Sequence, residues 1–408
     1  MIRILRLTPL AAGIFCLLAS SAPVVHAAGG PIELAAFCDG SDDKDDTSCI
    51  RAWVDAARSS GQELYASPGH FLYRQTVDLF SGAHVRCAGP ATTIFRSTGD
   101  AKILFDAVGN GLEGISLEDC GFDLNGNKEP FAAVLRVWGQ GAAARNIRVR
   151  GNRMYDGTLT GKTSPEQRQY ILLLNCEQCW VTENHLSEGG RIKVGRPGRR
   201  VVIRDNVLEH VNDNAITVVG RAQASSQDIL IAGNVIEDPV RTGIFFGADG
   251  MPQNDPALSV RNVRISNNVV EGDFVSACIR GTLPNRAEHV VISGNVCSKS
   301  GGSGDRVRGI DLFRTHEPSD GSAQLSAKQV LITDNIVTGH FSSAPLYLAG
   351  AYDQPILNAN QFANSGGGDA IWVRGDVRRV LITNNVYVGS LRVEEPATAV
   401  VHDNVEVR

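Results

Sequence analysis

Long runs of one charge sign are missing from this 408-residue chain, whose formal net charge is −5. A nucleic-acid partner would need a basic stripe to gather phosphates, so nothing points to nucleic acid. A net negative molecule also does not draw in an acidic polymer through its overall field. Any anion must be recognised by local Arg and Lys. Aromatic residues make up only 6% of the chain, against 43 glycines, a composition suited to slim strands and tight turns. Past residue 27 no segment is apolar enough to cross a membrane. Helical periodicity is absent between the apolar segments, which excludes a mostly α fold.

One phrase keeps returning instead. Val330-Leu331-Ile332-Thr333-Asp334-Asn335-Ile336 is its clearest copy. Related copies end at Asn206, Asn234, Asn268, Asn295 and Asn385, and weaker ones at Asn152, Asn184, Asn360 and Asn404. Repetition every ~20–40 residues marks a solenoid. Within each copy β-branched apolar residues alternate with others, so each is a short strand. Gly, Asp or Asn usually precedes the repeated Asn, and these residues tolerate a left-handed bend. A second strand follows, then a third such as Ala215-Ile216-Thr217-Val218-Val219 or Gly309-Ile310-Asp311-Leu312. Three strands per turn predict an all-β, right-handed parallel β-helix, stable only as a stack. The repeated Asn side chains are expected to form a ladder. Because a solenoid grows without splitting, residues 28–408 read as one β-helix domain, with about 38–60 as its N-terminal cap.

Residues 1–27 read as a signal peptide. Arg3 and Arg6 precede an apolar run at 7–20, and Val25-His26-Ala27 suits cleavage. The chain is therefore expected to be secreted or periplasmic, with no membrane insertion once the leader is removed. Export permits disulfides. Besides Cys16 the cysteines are Cys38, Cys49, Cys87, Cys120, Cys176, Cys179, Cys278 and Cys297. Cys38–Cys49 closes a short loop and is the expected bridge. The others are either further bridges or buried thiols. Cys176 and Cys179 form a C-x-x-C, but in a strand-and-turn context rather than on a redox helix.

Asp45-Asp46-Thr47 introduces a helical run at 48–58, with Ile50, Trp53, Val54 and Ala57 on one face and Asp46 or Thr47 as the cap. Such a helix can plug the end of a β-helix. Pro68-Gly69 with Phe71, then Val85-Arg86 with Ala88-Gly89, follow as strands. This order of features resembles the N-terminal region of the pectate lyase-like superfamily, and with the Asn-bearing coils the resemblance covers nearly all of residues 28–408. It implies a β-helix whose relatives are polysaccharide lyases, glycoside hydrolases, uronan epimerases and phage tailspikes, so the implied partner is a polysaccharide. Fold does not set the reaction. Polygalacturonases of this superfamily carry Asn-Thr-Asp, Asp-Asp, Gly-His-Gly and Arg-Ile-Lys in that order. Here Arg191-Ile192-Lys193 comes before Asn212-Asp213-Asn214, and Gly-His-Gly is absent. The Asp-Pro-His-Asp of mannuronan epimerases is replaced at best by Asp238-Pro239-Val240-Arg241. Neither family's catalytic set carries over. No cofactor is required by the sequence. The acidic run 42–46 is the one candidate calcium site, and it lacks EF-hand spacing.

Chemistry is expected along the third strands, beside the long loops 248–261, 282–289 and 314–328. Alternation predicts an outward column of Arg136, Lys193, Thr217, Phe245, Arg280, Asp311, Tyr347 and Trp372, flanked by Arg191 and Arg374. Two mechanisms fit. In β-elimination on a uronic acid a base removes the proton beside the carboxylate, and a cation neutralises that carboxylate. Lys193 beside Arg191 is the candidate base, because a neighbouring cation favours the neutral amine. Arg241 or Arg280 would hold the substrate. In hydrolysis two carboxylates flank the bond, and Asp213 with Asp238 or Asp311 are the candidates, near His210. Phe245, Tyr347 and Trp372 would be sugar platforms. The leading expectation is a lyase on an acidic glycan. Hydrolase, epimerase and purely carbohydrate-binding roles are the alternatives. Lys193 and Asp213, both outward, are expected to contribute little to the core.

Overall fold

The computed structural model describes residues 29–41, 44–98, 102–127, 133–157, 169–220, 225–248, 259–283, 286–301, 304–313 and 327–407. The signal peptide expected at 1–27, Asp42 and Asp43 of the acidic run, and most of the loops 248–261 and 314–328 lie outside them.

The repeated strands stack in parallel and in register. Ile203 pairs with Ile231, Ile231 with Ile265, Ile265 with Ile292, and Ile292 with Ile332. The column then continues through Leu357 and Ile382. All seven side chains point inward and are fully buried. Burying each is worth roughly 1.5–3 kcal/mol. The second strands form a separate 13-stranded parallel sheet, from Gly69–Tyr73 to Val405–Val407. Its inner column opens with Phe71, Phe95 and Phe122, their ring centroids 5.6 Å apart at each step. The third strands run alongside, so the coil closes into a right-handed parallel β-helix.

The Asn ladder is continuous. From Asn152 through Asn184, Asn206, Asn234, Asn268, Asn295, Asn335, Asn360 and Asn385 to Asn404, each amide nitrogen donates to the next amide oxygen at 2.8–2.9 Å. The same nitrogen also donates to backbone carbonyls of the corner. Asn268, for example, reaches Ile231 O at 3.0 Å and Ser266 O at 3.2 Å. The residue before each Asn is left-handed, with φ of 59° at Glu183, 56° at Asp205, 65° at Gly233 and 54° at Ala359. The bend thus aims the Asn into the wall, where its neighbours satisfy it.

The N-terminal helix is Thr47–Ser60. Ile50, Trp53, Val54 and Ala57 are buried on the first coils, and Trp53 Nε1 donates to Ile32 O at 2.8 Å. The cap differs in detail from the expected one. Asp46 sits at the N-cap position, but its carboxylate accepts from Leu72 N at 2.9 Å on the neighbouring strand. Asp45 caps instead, taking Thr47 N at 3.0 Å and Thr47 Oγ1 at 2.6 Å. Thr47 is itself the first helical residue. Asp45 thus serves the helix start and Asp46 the neighbouring strand. Cys38 and Cys49 are bridged, as expected. Cys87–Cys120, Cys176–Cys179 and Cys278–Cys297 are paired too, so the cysteines left open as thiols are bridges.

Candidate functional site

The third-strand column can be followed rung by rung. Lys193 pairs with Thr217, Thr217 with Phe245, Phe245 with Arg280, Arg280 with Asp311, Asp311 with Tyr347, and Tyr347 with Trp372. That is the expected order, with one insertion and two extensions. Leu172 stands between Arg136 and Lys193, Asp106 precedes Arg136, and Arg392 follows Trp372. A second set of side chains comes from the starts of these strands. Arg191 precedes Ile192–Arg204, Asp213 precedes Asn214–Gly220, and Arg241 precedes Thr242–Ala248. Tyr170 fixes the approach to Arg191. Its ring lies against Gly190, where a Cβ would fall 2.1 Å from the ring, and its hydroxyl donates to Ser187 O at 2.9 Å.

Between the two sets lies a pocket of about 160 Å³. Its lining includes Arg191, Lys193, Asp213, Thr217, Arg241, Phe245 and Arg280, with Asn214, Thr242 and Thr282 from the same strands. Lys193, Asp213, Arg191, Arg241, Phe245 and Arg280 are therefore brought together as expected. Four of these six are cations and one is an anion. Adjacent rungs are ~4.8 Å apart, so several of the cations can reach one bound anionic group.

Outward does not mean exposed in this wall. Arg191 and Asp213 form an ion pair and are 2% and 4% exposed. Arg241 Nη1 lies 3.7 Å from the other oxygen of the same carboxylate. The expectation that Asp213 contributes little to the core is thus corrected. Long side chains on neighbouring rungs lie over the shorter ones and desolvate them. Asp311 is also corrected. It is 3% exposed and is not among the lining residues. It accepts from Arg308 Nη1 at 2.8 Å and lies 3.7 Å from Arg280 Nε. Burial raises its pKa, while Arg308 and Arg280 pull it back down. Burial likewise lowers the pKa of Arg280, which Asp311 opposes. Arg280 is steadied further by Ser276 Oγ at 2.9 Å and by the Phe313 ring at 4.5 Å. Asp311 is thus placed to hold an arginine at the pocket edge.

Two expected residues fall elsewhere. His210 and Asp238 pair with each other at 3.7 Å, with side chains 66% and 57% exposed, and neither lines the pocket. Both have left-handed backbones, φ 51° and 45°, and this sends their side chains out at the corner before the third strands. The aromatic platforms are reduced to one at the pocket, Phe245. Tyr347 is buried under Arg308, whose guanidinium carbon sits 3.4 Å from the ring centroid. Trp372 is half-buried, edge-on to Tyr347 at 5.0 Å and contacted by Arg392 at 4.8 Å. Asn214, Thr242 and Thr282 were not singled out from sequence. Counting rungs from the repeated Asn would have placed them.

No family model matches the chain, and no curated protein matches it in sequence. Solved structures do. The A-module of mannuronan C-5 epimerase AlgE4 from Azotobacter vinelandii superposes with a TM-score of 0.52 at 14% identity, covering 92% of this chain and 99% of that one. The surface adhesin PfbA of Streptococcus pneumoniae gives 0.54 at 14%, over 92% and 97%. A hyperthermoactive exopolygalacturonase from Thermotoga maritima gives 0.54 at 12%, over 92% and 91%. The chain shares the right-handed parallel β-helix fold of these proteins. At these identities the likeness is one of fold, and an epimerase, an adhesin and a hydrolase all share it. Among the described residues no helix is long and apolar enough to cross a membrane.

Proposed function

We propose that this β-helix is a secreted or periplasmic lyase that cleaves a uronic-acid-containing glycan by β-elimination at the Lys193 pocket. The observation that carries the reading is the lining itself: Lys193, Arg191, Arg241 and Arg280 on adjacent rungs around one carboxylate, Asp213, already ion-paired to Arg191. Hydrolysis needs two carboxylates across the scissile bond, one of them protonated or poised as a nucleophile. Among the described lining residues there is one, and it is committed to arginine. Elimination needs a base and a clamp for the substrate carboxylate. Lys193 Nζ takes the proton from the carbon beside the carboxylate, and Arg241 and Arg280 neutralise that carboxylate so the proton becomes acidic. The C–H electron pair forms a carbon–carbon double bond as the bond to the glycosidic oxygen breaks, and that oxygen takes a proton from water. Phe245 covers one face of the sugar. The four cysteine pairs suit an oxidising compartment outside the cytoplasm.

Mixing the protein with polygalacturonate, alginate and other uronic-acid polymers and following absorbance from unsaturated sugar ends tests the reading. Growth of that absorbance, abolished in Lys193→Ala, is expected. New reducing ends without absorbance would replace elimination by hydrolysis. Binding without either signal would make the protein a carbohydrate-binding β-helix.

A further inference from the structure

We infer that the side-chain hydroxyl of Thr217 is a substrate-contacting, specificity-determining group of this pocket, donating a hydrogen bond to an acidic oxygen of the ligand. The inference rests on the acidic-glycan reading above. Thr217 sits on the rung between Lys193 and Phe245 and lines the pocket. It is 2% exposed, and its Oγ1 has no hydrogen-bond partner among the described residues. Buried polar atoms are nearly always paired, so an unpaired one calls for a cause. Packing does not require a hydroxyl there. Val194, Val218 and Val219 occupy neighbouring positions on the same sheet, and valine has nearly the same shape as threonine. What threonine adds is one hydroxyl without a partner, on a residue that lines the pocket. The surrounding Lys193, Arg241 and Arg280 can only donate. The group they converge on must be an acceptor, and the hydroxyl, which can do either, then donates as well. A sugar carboxylate meets that description, and a sulfate ester shares the chemistry.

Thr217→Val and Thr217→Ser test this by thermal unfolding without ligand and by calorimetric titration with oligogalacturonate and with sodium sulfate. Thr217→Val should unfold at the same or a higher temperature than wild type, because it deletes an unsatisfied buried group. It should bind the probe about tenfold or more weakly, the worth of a hydrogen bond to a charged partner. Thr217→Ser should bind close to wild type. This pairing of unharmed stability with lost affinity is not produced by a residue that only holds the wall together. Equal binding by Thr217→Val, with wild-type oligogalacturonate binding that Lys193→Ala disturbs, overturns the role of Thr217 and leaves the acidic-glycan reading intact. Binding of sulfate but not oligogalacturonate, lost in Thr217→Val, keeps the Thr217 contact and removes the uronate as the substrate. A clear fall in unliganded unfolding temperature for Thr217→Val, restored by Thr217→Ser, would show the hydroxyl to be a wall contact and overturn the inference. So would a wild type that binds neither probe.

Discussion

At the residue scale, one pairing decides how the pocket should respond to mutation. Asp213 faces Arg191 inside the wall and reaches Arg241 at its rim. Asp213→Ala would leave a guanidinium that is 2% exposed without its counter-charge. Losing one partner of such a buried pair costs on the order of 3–5 kcal/mol. Asp213→Ala should therefore lower the denaturant midpoint markedly, whatever it does to turnover. Lys193→Ala should not, since Lys193 is half-buried at the pocket mouth. Denaturant unfolding of the two variants side by side checks the difference. The Asn ladder gives a second residue-scale outcome. Asn268 donates to Asn295, Ile231 and Ser266 and accepts from Asn234, so Asn268→Ala strands several buried groups at once. A loss on the order of 3 kcal/mol is expected by equilibrium unfolding. In the opposite direction, Ala359 holds φ 54° with a Cβ. Relief of that strain outweighs the extra backbone freedom of glycine, so Ala359→Gly should stabilise by roughly 0.5–1 kcal/mol.

At the scale of elements, the coil corner and the capping helix behave differently. The corner is specified locally. An apolar residue pointing in, a residue that accepts a left-handed backbone and an Asn recur together, and each copy builds the same bend. The cap depends on contacts from distant parts of the chain. Its helix is legible from Ile50, Trp53, Val54 and Ala57, yet its start is decided by where the carboxylates find donors. Asp46 turns to Leu72 on the next strand, and Asp45 takes over at Thr47. The Cys38–Cys49 bridge ties the entering segment to this helix across a sequence separation of 11. Replacing both cysteines with serine should cost roughly 2–3 kcal/mol, read as a lower thermal midpoint. Beyond Cys38–Cys49, the three other pairs could not be connected from sequence, because six cysteines admit many pairings.

At the scale of the whole molecule, the chain is net negative while its pocket is locally basic. On the proposed reading, local cations capture an acidic glycan against a weakly repulsive background, and salt screens such contacts within a few ångströms at high concentration. Raising the ionic strength from about 0.05 M to about 0.5 M should weaken binding of a uronic-acid polymer several-fold and leave any binding of a neutral glucan unchanged. Titration at the two salt concentrations measures both.

The repeat, its strand period and its Asn corners by themselves determined a parallel β-helix and the direction of its third-strand column. They could do so because each coil repeats one local pattern, and stacking identical patterns leaves a single register. Phase was lost only where alternation vanished. In Ile171-Leu172-Leu173-Leu174 every residue is apolar, and the outward Leu172 could not be told from its inward neighbours. The tertiary structure alone decided what the outward residues do. Arg191 and Asp213 neutralise each other beneath the surface, Asp311 steadies Arg280, Arg308 covers Tyr347, and His210 with Asp238 turns away at a corner. Those outcomes depend on which side chains on neighbouring rungs overlie one another, and residues from neighbouring rungs lie 20–40 positions apart in the chain.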